Sequence, residues 1–314
     1  MRTSLRVHPQ ETAPLLQRRG GGLSNSYSNS PYKKPRWYKR PKFYINILRR
    51  GLAEFLGTAL FVFIAVSSAS SVNIDSDCGR SVSSSSATVV ALATGFAYAA
   101  LMAANGHVSG GHMNPAVTVG VFIAGGINVV AAAVYILVQL IGGIVGAACV
   151  LAYDNDDYYP NGTDPNSTEP ESVVDYGLTN LQGVTPLQGI AVETVLTLMV
   201  VMVYTHTTME GDNKGEHSHR NFAAPLATGF AMAAGIMSSY FITGGSFNPA
   251  RSLGPAVVGS SPSRWDYHYV YWIGPTLGAM LAGVFYRLVL SSNPLIPLTD
   301  TDSKTRGSIN THSQ

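Results

Sequence analysis

The sequence predicts an all-α membrane protein: six transmembrane helices and two re-entrant half-helices, built as an inverted three-helix repeat. Three observations carry this. Charged residues make up 12% of the 314 residues and hydrophobic residues 46%, against about 25% charged in an ordinary soluble domain. The apolar residues gather in six runs, each near the roughly 20 residues a helix needs to cross the hydrocarbon layer. Finally, residues 93–116 recur without a gap as residues 227–250. A soluble bundle would need charged faces on its helices, and these runs have none.

Taken in order, residues 1–44 are rich in Ser, Pro, Gly, Arg and Lys and read as a disordered basic tail. The apolar runs follow at about 51–72, 87–105, 130–152, 187–205, 223–241 and 268–290. Shorter, Gly-rich pieces at about 107–125 and 242–257 follow the second and fifth runs. Such pieces are tolerated at membrane depth only where their backbone is buried in protein or lines a watery cavity. Repeat one covers about 51–152 and repeat two about 187–290. The loop 153–186 joins them, and 291–314 is a second tail of the 45–290 channel domain.

Basic residues in the short loops orient the chain. The N-terminal tail carries Lys33, Lys34, Arg36, Lys39, Arg40 and Lys42; Lys214 and Arg220 follow the fourth run, and Arg287, Lys304 and Arg306 the last. Residues 153–186 contain no Lys or Arg. Both termini are therefore expected in the cytoplasm and 153–186 outside or in a lumen. That loop holds two glycosylation sequons, at Asn161 and Asn166. The basic run before the first helix suits anionic lipid better than nucleic acid. Cys78 and Cys149 lie in a polar loop and an apolar run, so they are not expected to pair.

The repeat reads ATGFAYAALMAANGHVSGGHMNPA in its first copy and ATGFAMAAGIMSSYFITGGSFNPA in its second. Upstream of each copy lies a helix with one acid, Glu54 or Glu193. Each copy contains three crossings; three is odd, so the second copy sits upside down. Inverted repeats of this kind place a transport path near the midplane. Asn before Pro is a good N-cap followed by a residue suited to the first helical turn. Asn114-Pro115-Ala116 and Asn248-Pro249-Ala250 are thus expected to start half-helices that meet N-terminus to N-terminus. Each macrodipole would place roughly half a positive charge at the junction. Asn114 and Asn248 would offer amide N–H groups to a solute that can only accept there, and cations would meet a positive barrier. The backbone of Gly110, Gly111 and His112, and of Gly244 and Ser246, is expected to line the path. Glu54 and Glu193 need partners inside the membrane and are expected to brace the loop backbone.

From about Gly51 to Arg287 the chain resembles the aquaporins, the major intrinsic protein family. HVSGGHMNPAVT and TGGSFNPARSLGPAVV carry the resemblance. It implies a homotetramer with a pore in each subunit and a filter formed here by Thr94, Ile236, Gly245 and Arg251. Arg251 matches the family's filter arginine. The other three depart from strict water channels, which have an aromatic at the first position and His at the second. The pattern is closer to the tonoplast-type, ammonia-permeable branch, as is WDYHYVYWIGP (265–275). Glycerol facilitators resemble one another in an Asp after the arginine and a basic residue four positions later, where this chain has Ser252 and Ala256.

The resemblance therefore implies a passive channel for water, with ammonia and other small neutral solutes as further candidates and protons and ions excluded. The alternatives are a glycerol or urea facilitator, or a membrane adhesion protein on the same fold. No enzyme activity, cofactor or metal is expected, and His217 and His219 lack a ligand set. The lipid bilayer is a partner and nucleic acid is not. The plasma membrane is the expected location. The dileucine-like Glu11-Thr12-Ala13-Pro14-Leu15-Leu16 keeps an endolysosomal or vacuolar membrane as the alternative.

Overall fold

A computed structural model describes residues 41–73, 84–153, 177–209, 223–259 and 261–291. The dileucine-like hexamer, Cys78, both sequons, His217, His219 and the C-terminal tail from 292 lie outside these residues.

Eight α-helices follow one another among the described residues: α1 (Pro41–Asn73), α2 (Ser84–Asn105), α3 (Pro115–Ala124), α4 (Val129–Tyr153), α5 (Pro186–Met209), α6 (Ala223–Thr243), α7 (Pro249–Val258) and α8 (Val270–Phe285). A 3-10 turn at Pro262–Trp265 leads into α8, and a π turn at Tyr286–Leu290 extends it. Six helical stretches are long and apolar enough to cross a membrane; α3 and α7 are not. The first helix begins at Pro41, inside the segment expected to be tail, because Pro costs nothing in a helix's first turn. Of the two short pieces, α3 takes up 115–124 of the first and α7 runs from 249 to 258, one residue past the end of the second, whose residues 242 and 243 still belong to α6; the residues between form irregular loops that end in the Asn-Pro pairs.

Packing follows the repeat. The first helix of each half lies along the last, α1 on α4 and α5 on α8, and α2 packs on α6 across the halves. Each short helix leans on the last helix of the other half, α3 on α8 and α7 on α4. Glycines permit these approaches: a Cβ on Gly254 of α7 would run into the Gly143 carbonyl of α4, and a Cβ on Gly283 of α8 into that of Gly120 of α3.

The surface is apolar where that of a soluble bundle is charged, and the apolar core also holds buried polar groups. Leu48, Leu52, Leu56 and Leu60 form an exposed stripe along α1 at four-residue spacing, one face of a helix. Glu54, Thr58, Gln139 and Asn114 are wholly buried. An apolar outside, with polar groups kept inside, suits lipid as the surrounding solvent.

Candidate functional site

Both loops that end in Asn-Pro-Ala are built by the same devices. Asn114 and Asn248 adopt extended backbone, and each side-chain Oδ1 accepts from the amide two residues on, Ala116 N at 2.8 Å and Ala250 N at 2.9 Å. Each Nδ2 then donates to the opposite loop: Asn114 to the Phe247 carbonyl and Asn248 to the Met113 carbonyl, both at 2.9 Å. The helix N-termini therefore face each other, tied crosswise. A primary amide has two N–H donors; among the described residues the second on each Asn meets no acceptor, and its direction is fixed by the other bonds.

The residue before each Asn is in the left-handed region, Met113 at φ 48° and Phe247 at φ 51°. That conformation is uncommon outside glycine and persists where the surroundings enforce it. Here the enforcement is a buried carboxylate. Glu54 accepts from His112 N (2.9 Å), Met113 N (2.7 Å), Ser109 Oγ (2.6 Å) and Gln139 Nε2 (2.8 Å). Glu193 accepts from Ser246 N (3.2 Å), Phe247 N (2.8 Å) and Thr243 Oγ1 (2.7 Å). A carboxylate left unpaired in this interior would be costly; these donors offset that cost while aiming the Met113 and Phe247 carbonyls at the opposing asparagine. Gly110, Gly111, Gly244 and Gly245 all have positive φ, which lets the backbone turn its N–H groups toward the acids.

Tyrosines hold the outer ends of the loops. Tyr135 of α4 donates to the Ser109 carbonyl and Tyr271 of α8 to the Thr243 carbonyl, each at 2.9 Å and each just before a glycine pair. Two further phenols act on the first loop. Tyr98 donates to the His112 carbonyl at 2.7 Å and Tyr204 to the Gly110 carbonyl at 2.8 Å. No described donor reaches the matching Gly244 and Ser246 carbonyls of the second loop. Two carbonyls of the first loop, at Gly110 and His112, are thus already taken by phenols. The sequence reasoning missed these tyrosines, Gln139 and the Met113 and Phe247 conformations. Only the tyrosines' place among apolar residues hinted at buried hydroxyls in need of acceptors.

The four residues that the resemblance assigns to a filter come from three helices and a loop. Ile236 of α6 touches Gly245: a Cβ on Gly245 would lie 3.1 Å from the Ile236 Cα. Thr94 of α2 is buried and its hydroxyl has no hydrogen-bond partner; its neighbour Gly95 packs on Gly229 and Ala233 of α6. Arg251 sits in the first turn of α7, and its Nη1 donates to the Gly177 carbonyl at 2.6 Å. Residues 177–182 thereby fold over the second loop, with Thr179 Oγ1 donating to Ser252 Oγ at 2.8 Å and Gln182 N to the Ile242 carbonyl at 2.9 Å. The arrangement brings together a few fixed donors, a buried and unpartnered hydroxyl and apolar walls, with no nucleophile beside a base among the described residues.

A model of the family named major intrinsic protein matches residues 42–286. Aquaporin PIP1-1 of Musa acuminata is 34% identical over 248 residues, 78% of this chain and 80% of that protein. Probable aquaporin PIP1-5 of Arabidopsis thaliana is 34% identical over 266 residues, 84% of this chain and 85% of that one. Among solved structures, the X-ray structure of the aquaglyceroporin from Plasmodium falciparum superposes with a TM-score of 0.61, covering 77% of this chain and 96% of that chain at 21% identity. At that identity the likeness speaks for the fold alone.

Proposed function

The chain belongs to the major intrinsic protein family, and on that premise we propose that it is a passive membrane channel in which water passes the Asn114–Asn248 junction in single file. The observation that carries the reading is the crosswise tie between the two asparagines, which leaves one amide hydrogen on each for a passing solute. A water accepting from both turns its own hydrogens away along the path in opposite directions. A continuous chain of donors through the junction cannot then form, so a proton cannot be relayed. Cations are opposed by the two helix N-termini and by the Arg251 guanidinium.

Thr94, Ile236, Gly245 and Arg251 set the solute range. The first three leave the narrow point wider and less polar than an aromatic and a histidine would, which admits ammonia beside water. Glycerol is disfavoured by Ser252 and Ala256 at the positions that mark the facilitators. In our reading α3 and α7 re-enter from opposite faces, both termini are cytoplasmic, Asn161 and Asn166 carry glycans outside, and four subunits assemble at the plasma membrane.

Stopped-flow light scattering on purified protein in liposomes tests this. Water flux well above protein-free vesicles, with a low activation energy and no proton leak, is expected. Folded protein that adds no water flux overturns the reading.

A further inference from the structure

Some devices are present in both repeats: the two acids, the two asparagines, and a tyrosine at the carbonyl before each glycine pair. Tyr98 and Tyr204 are different. In the aligned repeats Tyr98 corresponds to Met232, and counting from the two acids Tyr204 corresponds to Ala65; both are buried and neither has a donor. The same one-sidedness distinguishes Arg251, whose counterpart is Val117.

Both phenols are buried against the first loop. Tyr98 is one turn along α2 from Thr94 and on the same face. Its hydroxyl takes the His112 carbonyl, and its ring stands edge-on to Phe61 at 5.3 Å. The Tyr204 ring stands edge-on to the His112 imidazole at 5.5 Å, and its hydroxyl lies 3.1 Å from where a Gly110 Cβ would be. His112 is itself fastened through Nδ1 to Thr118 Oγ1 at 3.1 Å. Each phenol has given its only proton to a loop carbonyl. Neither hydroxyl has a proton left to give, and each keeps only acceptor lone pairs. In the other half the Gly244 and Ser246 carbonyls have no donor among the described residues.

We propose that Tyr98 and Tyr204 form a second selection point, between the asparagine junction and the Gly110 end of the first loop, which discriminates against solutes that need several acceptors at once. Urea and glycerol carry several donors and cross a narrow path cheaply only where acceptors come in succession. Water and ammonia are small enough to pass with one acceptor at a time. The two phenols therefore narrow this half and break the succession, adding to the filter at Thr94, Ile236, Gly245 and Arg251. This inference rests on the channel reading given above.

The test compares Tyr98→Phe with Tyr204→Phe in one protein, reconstituted in liposomes, against wild type for water and urea flux. Removing both hydroxyls frees two carbonyls and leaves the rings, so the urea-to-water ratio should rise about fivefold, the order of one hydrogen bond gained during passage. The controls are Tyr135→Phe and Tyr271→Phe, the scaffold anchors, which should lower thermal stability and leave the ratio unchanged. A double variant that conducts water at the wild-type urea ratio overturns the proposal, as does an equal rise in the anchor variants. Should the double variant not assemble, Tyr98→Met, which installs the residue of the other repeat, replaces it; failure of that protein to assemble assigns the hydroxyls to the scaffold and also overturns the proposal. Absence of water flux in wild type would instead refute the channel reading.

Discussion

Gly95 of α2 and Gly229 of α6 lie directly against each other: a Cβ on Gly95 would come within 2.6 Å of the Gly229 carbonyl oxygen, and a Cβ on Gly229 within 2.5 Å of that of Gly95. They are the same position in the two repeats, so the contact is reciprocal and marks the axis that relates the halves. Both approaches are to backbone, which cannot swing aside as a side chain would.

Gly95→Ala or Gly229→Ala should therefore destabilise the protein by about 1–3 kcal/mol, the usual cost of overpacking. Thermal unfolding in detergent, followed by size-exclusion recovery, should show a lowered midpoint for each. A wild-type midpoint for both variants would mean that α2 and α6 separate more easily than this contact allows.

Glu54 and Glu193 should differ in sensitivity. An amide in place of either carboxylate turns an NH2 toward a group that also donates. Glu54 accepts from four groups and Glu193 from three. Each Glu→Gln change is expected to cost about 2–4 kcal/mol, with Glu54→Gln the more damaging. Recovery of folded protein after heating, compared between the two, checks the order.

The filter reading makes ammonia the informative solute. Thr94→Phe with Ile236→His should cut ammonia flux severalfold while largely sparing water, measured by internal pH and by light scattering in liposomes. Wild-type ammonia flux no greater than the lipid background would refute the wide filter. A proportional loss of both fluxes in the double variant would assign these residues to the fold.

Mercurials should act weakly on the wild type. Cys149 is exposed on the outer surface of α4, away from the asparagine junction. Gly245→Cys should create thiol-reversible block, at a stability cost of about 1–3 kcal/mol, because Gly245 has φ 63° and its Cβ would press on Ile236. Water flux with and without mercurial and reductant measures the first effect, and the unfolding midpoint the second.

Arg251→Lys should keep the positive charge and lose the planar fork. One nitrogen of Arg251 is spent on the Gly177 carbonyl, leaving the rest of the guanidinium to face a solute; a lysine ammonium bound there has no comparable second arm. Arg251→Lys should thus still exclude protons but conduct water more slowly, whereas Arg251→Ala should admit a proton leak. Pyranine-loaded liposomes under a pH step separate the two.

Legibility in the sequence followed range. The six long helices and both half-helix starts were readable because hydropathy and the Asn-Pro pair are local signals; Asn114 and Asn248 do cap α3 and α7. The packing of α2 on α6 was not read from the repeat, because the repeat relates the two halves without saying which equivalent residues lie on the axis between them. The left-handed Met113 and Phe247 were not readable, because nothing in their own side chains favours that conformation. It is imposed by carboxylates more than fifty residues away in sequence. Tyr98, Tyr204 and Gln139 escaped for the same reason: an aromatic or an amide in an apolar run reveals its hydrogen-bond partner only when helices distant in sequence come together. Arg251 was readable as a position, while its hold on Gly177 was not.

The crosswise tie between the asparagines also has a consequence in time. Asn114 and its acceptor on Phe247 are 133 residues apart, so at roughly 5–20 residues per second the ribosome finishes the first loop several seconds or more before its counterpart exists. Through that interval the Met113 carbonyl and the Asn114 amide have no mate, and α3 lacks the helix end it will face. Neither half can mature alone. A chain released after α4 would carry a polar loop without its mate, and the arrival of α7 supplies it.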